Sequence, residues 1–132
     1  MGRRNLRRWP CTLALLIAML LLAACSADCF WSGHGEAWID QNEDGVWDSD
    51  EVPLEGVRFA IHDVQNGAYS SERMVSAKDG NVGLYIFLPG CPRVELEVYV
   101  DTPAGYQRTT EPRVPVREDG EVARFGFVPV KD

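Results

Sequence analysis

Signatures of catalysis are missing from this chain. It carries two histidines, His34 and His62, and neither belongs to a nucleophile motif. Beyond the first two dozen residues there is no G-x-S-x-G, no H-E-x-x-H and no glycine-rich phosphate loop. With no nucleophile and base assembled, the expectation is a protein that is not an enzyme. Basic residues are also scarce, 13 Lys+Arg against 20 Asp+Glu, with Lys78 and Lys131 the only lysines. Four of the arginines crowd into the first eight residues, so a chain without residues 1–24 would carry a net charge of −11. That balance argues against nucleic acid or an anionic headgroup as partner, since both demand basic patches, and it favours cations. No segment keeps a helical period over three turns. No apolar run reaches the roughly 20 residues that a transmembrane helix needs.

The longest apolar run, from about Cys11 to Leu22, is short and follows Arg3, Arg4, Arg7 and Arg8. A basic head, a short apolar stretch and small residues after it read as a secretory signal. The run ends in Leu22-Ala23-Ala24-Cys25, which resembles the lipobox of bacterial lipoproteins. The expectation is a signal at residues 1–24, lipidation of Cys25 and a short tether at 25–34; an ordinary signal peptide cut at small residues, or an uncleaved anchor, is the alternative. The domain is then expected at 35–132, held at the outer membrane or the outer face of the plasma membrane by its lipid. No Pro/Ser/Thr-rich stalk follows. Phe30 and Trp31 are within reach of a bilayer interface, where aromatic rings are favoured, but the expectation is that both pack on the domain beside Cys29.

Of the four cysteines, Cys11 is expected to leave with the signal and Cys25 to be lipidated. Cys29 and Cys91 remain in an oxidising compartment and are expected to pair; two free buried thiols are the alternative.

The acidic residues concentrate in Asp40-Gln41-Asn42-Glu43-Asp44-Gly45-Val46-Trp47-Asp48-Ser49-Asp50-Glu51. This matches the calcium-loop spacing D-x-[DN]-x-[DN]-G-x5-E. Ca2+ is a hard cation that takes about six to eight oxygens, and a tight loop supplies them from alternate residues. Asp40, Asn42, Asp44, Asp48 and Glu51 would give side-chain oxygens and Val46 its carbonyl. Gly45 stands at the sharp turn. The bland alternative is an acidic solvated turn. Val52-Pro53 follows Glu51 directly, and a residue before proline is pushed out of the α region. The loop is therefore EF-hand-like without the exiting helix. Trp38 and Trp47 are expected as core or collar residues around it.

The rest of the chain reads as strands. Val57, Phe59 and Ile61 share one face of an alternating run, as do Val94, Leu96, Val98 and Val100. Glu36–Ile39, Glu72–Ala77, Val114–Val116 and Val122–Val130 supply further strands, the third an edge because of Pro115. Leu84–Leu88 is apolar on both faces and is expected to be central. Seven or eight short strands in about 100 residues predict an antiparallel β-sandwich.

The ordered set Gly35-Glu36-Ala37-Trp38-Ile39-Asp40, Glu51-Val52-Pro53-Leu54-Glu55-Gly56-Val57, Asp79-Gly80, Tyr85-Ile86-Phe87, Leu88-Pro89-Gly90, Thr102-Pro103-Ala104-Gly105-Tyr106-Gln107 and Phe125-Gly126-Phe127-Val128 covers nearly all of residues 35 to 130. It resembles the SdrD B-like repeat, a relative of the Cna B-type modules of bacterial surface proteins. The resemblance implies an immunoglobulin-like or prealbumin-like sandwich, calcium held after the first strand, and a non-enzymatic structural or adhesive role at the cell surface. The chain departs from the family where Leu88 directly follows Phe87 and where Cys91-Pro92 replaces a small-Tyr pair. Lys78 and Lys131 lie off the first strand, so no internal isopeptide bond is expected. A second functional expectation is a module that binds carbohydrate, peptide or another extracellular protein through Trp31, Tyr69, Tyr99 or Tyr106.

Overall fold

A computed structural model describes residues 28–69, 74–91 and 93–131. The expected signal at 1–24 and the lipidation site Cys25 lie outside the described residues. Ten strands and no helix are present among them: β1 (Cys29–Ile39), β2 (Val52–Pro53), β3 (Arg58–Asp63), β4 (Ala68–Tyr69), β5 (Met74–Val75), β6 (Asn81–Leu88), β7 (Leu96–Asp101), β8 (Tyr106–Arg108), β9 (Arg113–Val116) and β10 (Val122–Pro129). They form two five-stranded sheets. The first runs β2-β1-β10-β8 with β6 also on β1, and the second runs β4-β3-β7-β9 with β5 also on β3. This is the all-β, mainly antiparallel sandwich that the strand pattern predicts. One pairing is parallel: β1 lies beside β10, with His34 opposite Val122 and Ile39 opposite Phe127.

Alternation builds the core between the sheets. Phe59 and Ile61 of β3, Leu96, Val98 and Val100 of β7, and Phe125 and Phe127 of β10 are buried, and Phe59 meets Phe125 edge-on with ring centroids 5.6 Å apart. Val94 is partly buried against this cluster. Among the described strands β9 pairs with β7 alone, and it leaves Pro115 exposed, as an edge strand with an internal proline must.

Two expectations are corrected. β1 starts at Cys29, six residues before the anticipated domain boundary, so 29–34 belong to the sheet and not to a tether. Its core-facing positions are Trp31, Gly33, Gly35 and Ala37, and the small residues hide the alternation. The glycines are packing residues: a Cβ at Gly35 would meet Phe59 at 2.5 Å, and one at Gly33 would meet Trp31 at 2.6 Å. The second correction concerns β6, which is not central. It pairs with β1 along Cys29↔Leu88 to Glu36↔Asn81 and with no other described strand. Leu84, Ile86 and Leu88 face the core, while Tyr85 and Phe87 stand 42% and 57% exposed on the outer face.

The Cys29–Cys91 disulfide is formed, with Cα atoms 4.8 Å apart and a sequence separation of 62. It ties the start of β1 to the turn after β6.

Candidate metal centre

The acidic loop begins where β1 ends. Asp40 donates its N–H to Phe127 O at 2.8 Å, the last rung along β10, and its side chain is fully buried. A buried carboxylate is costly unless its oxygens are satisfied, and here they are. Oδ1 accepts the N–H of Asp44 at 3.2 Å, and Oδ2 accepts the N–H of Gly45 at 2.9 Å and the hydroxyl of Thr109 at 2.5 Å. Room for this comes from Gly126 of β10, where a Cβ would stand 2.6 Å from Thr109 Oγ1 and 3.1 Å from Asp40 Cβ.

Downstream residues close the loop on itself. Asn42 Nδ2 donates to Asp44 Oδ2 and to Asp48 Oδ2, both at 3.1 Å, so two carboxylates converge on one amide. Asp44 Oδ1 accepts the N–H of Val46 at 2.8 Å. Glu51 spans the loop, with Oε1 accepting from Gln41 N at 2.8 Å and Oε2 from Asp48 N at 3.1 Å. Gly45 has φ of +76° and Glu43 a φ of +60°, so both turn through the left-handed region that glycine enters freely.

Trp47 folds back from the loop onto Trp38, ring on ring, with centroids 5.6 Å apart and planes 6° from parallel. Trp38 lies on the outer face of its sheet, yet it is fully buried. It is therefore a collar residue roofed by the loop. Its indole Nε1 has no hydrogen-bond partner among the described residues.

The predicted ligands Asp40, Asn42, Asp44, Val46, Asp48 and Glu51 thus share one closed turn, and the donor set is all oxygen, which suits a hard cation. The carboxylates of Asp40, Asp44 and Glu51 accept backbone N–H groups and that of Asp48 accepts from Asn42 Nδ2, and among the described residues no group of three His, Cys, Asp or Glu side chains is placed to hold a metal ion. Thr109 was not legible as part of this site, because its link to Asp40 crosses 69 residues with no local signal.

The other candidates are scattered. His34 is exposed on β1, and His62 of β3 lies beside Glu97 and Arg113, with Nδ1 3.3 Å from Arg113 Nη1. Trp31 is 5% exposed and donates its indole N–H to Glu118 O at 3.0 Å, so it offers no stacking platform. Tyr106 is half-buried against the core, and Tyr99 lies under the Arg113 guanidinium, 5.4 Å from ring centre to Cζ. Tyr69 joins β4 opposite His62, and its side chain lies outside the described set. A cleft of about 610 Å³ opens between the sheets beside the disulfide, lined by Trp31, Leu88, Leu96, Pro115 and Arg117 among others, at the other end of β1 from the acidic loop.

The structure therefore defines an all-β sandwich with a self-closed acidic loop at one end and a disulfide at the other. No protein-family model and no curated protein matches the chain.

Proposed function

We propose that this chain is a non-enzymatic, lipid-anchored module of the cell envelope, of the SdrD B-like kind, whose sandwich is stabilised by calcium for a structural or adhesive role. The observation that carries the reading is Asp40. It is a buried carboxylate fixed by β10 and Thr109 at the first position of a twelve-residue loop with oxygens at the calcium spacing.

In this reading Asp40, Asn42, Asp44, Asp48 and Glu51 would hold the ion with their side-chain oxygens and Val46 with its carbonyl. Bound calcium supplies positive charge to crowded carboxylates. The residues of the chain do the rest: Asp40 and Thr109 attach the loop to the sheet, Glu51 closes its ends, and Trp47 covers Trp38. Val52 and Pro53 enter β2 at once, so no exiting helix follows among the described residues. A calcium sensor opens a helix pair, and this loop instead fastens one end of a rigid sandwich.

Terbium titration tests the reading, because Trp47 sits within the loop and would sensitise a bound lanthanide. The expected outcome is terbium emission abolished by Asp40→Ala. The melting temperature should fall with EDTA, by the equivalent of about 2.7 kcal/mol at free calcium 100 times Kd. A folded protein with no terbium emission and an EDTA-insensitive melt would overturn it.

A further inference from the structure

Among the described side chains, the exposed aromatic surface is confined to one place. Among the described side chains, the exposed large hydrophobic residues are valines and three aromatics, Phe30, Tyr85 and Phe87. These three lie together on the outer face of the β1/β6 pair. Phe30 is opposite Phe87 in register, and its ring stacks on Tyr85 with centroids 6.0 Å apart. They are 56%, 42% and 57% exposed, whereas the centre of the same face carries the Glu36–Arg124 ion pair at 2.6 Å. The disulfide fixes the start of β1 against the turn after β6, so the rings sit on a rigid end of the sheet.

We propose that Phe30, Tyr85 and Phe87 form a lipid-facing surface that seats this end of the sandwich in the headgroup region of a zwitterionic bilayer. The proposal rests on the lipid-anchor reading of Cys25. Phe30 is five residues on from Cys25, a reach of at most about 18 Å even when fully extended. An anchored chain therefore holds the rings beside the interface, where aromatic side chains are favoured. A high effective concentration makes a weak contact sufficient. The net charge of −11 that remains without residues 1–24 makes an anionic surface the wrong occupant. The Asp40 loop begins at the far end of β1, about 35 Å away along the strand, and stays clear of the contact.

The test uses the mature protein, beginning at a lipid-modified Cys25, in phosphatidylcholine vesicles, with Phe87→Trp as reporter and Glu111→Trp, exposed beyond β8, as control. Lipids brominated near the top of the acyl chain should remove most of the emission that F87W adds to the parent chain and leave E111W unchanged. Tyr85→Trp gives the same readout if F87W folds poorly. Equal quenching of F87W and E111W in vesicle-bound protein would overturn the proposal. So would F87W shielding that rises with protein density and ignores bromination, which would mark a second copy as the occupant. If the chain lacks acyl mass at Cys25 and does not float with vesicles, the anchor reading itself has failed and takes the proposal with it.

Discussion

The hydroxyl of Thr109 donates to Oδ2 of Asp40 at 2.5 Å, joining the segment after β8 to the first residue of the acidic loop. The acceptor is a fully buried carboxylate and the bond itself is part-buried, so this is a charge-assisted bond largely shielded from water. Thr109→Val keeps the shape and removes the donor. The expected loss is about 2 kcal/mol, the usual range for a hydrogen bond to a charged group. Urea unfolding in EDTA measures it free of any metal contribution, and Thr109→Ser should restore most of the loss. A T109V midpoint equal to that of the parent would show that the Asp40 carboxylate does not depend on the hydroxyl.

Two glycines on the paired strands β1 and β6 should respond in opposite senses to the same added methyl. A Cβ on Gly35 would lie 2.5 Å from Phe59 and 2.7 Å from Val82, between the sheets, whereas one on Gly83 would meet nothing within 4 Å. Gly35→Ala is therefore overpacking and should destabilise by about 1–3 kcal/mol. Gly83→Ala removes backbone freedom without a clash and should stabilise by roughly 0.5 kcal/mol. Thermal melts of the two variants decide it. Similar shifts for both would show that Gly35 is not closely packed.

The same residues show what could be read from sequence. β3 and β7 were legible because a half-buried strand with large apolar residues on one face writes its period into the chain. The acidic loop was legible because ligand spacing is local. The first half of β1 was not, since Gly33 and Gly35 are core-facing positions that contribute no hydropathy and resemble a linker. β6 was misplaced because Tyr85 and Phe87 give its outer face the composition of an inner one. Thr109 was invisible as a partner of Asp40, because nothing near residue 109 marks a contact made across β10 to the end of β1.

Acid titration offers a local check on the turn that enters β6. Asp79 Oδ1 accepts the N–H of Asn81 at 3.1 Å. That backbone bond first, and the Asn81 side chain second, hold the Asp79 carboxyl below its usual 3.8. A lowered folded-state pKa stabilises the fold above the unfolded value, and the contribution is lost as pH falls through the folded value. Carbon-detected NMR titration should therefore place Asp79 below 3.8, and Asp79→Asn should flatten this part of the acid limb of stability. A midpoint at or above 3.8 would contradict the hydrogen bond to Asn81.

The disulfide makes the most directional prediction. It spans 62 residues and joins Cys29, the first residue of β1, to Cys91, just beyond β6. The sheet itself already pairs these strands from Cys29↔Leu88 to Glu36↔Asn81, so the bridge does not create the register. Its main effect is to restrict the unfolded chain, which for a loop of this size is worth about 4 kcal/mol on the chain-entropy model. Replacing both cysteines by serine should lower the unfolding midpoint by up to that amount. In native-state hydrogen exchange, Trp31 to Gly33 should lose protection first. Trp38, which is held between β10 and β2, and Ala37, which pairs with β10 and donates its N–H to Gly80 O, should keep theirs until global unfolding. Uniform loss of protection along β1 would mean that the strand opens as one unit, and that the bridge acts on the unfolded chain alone.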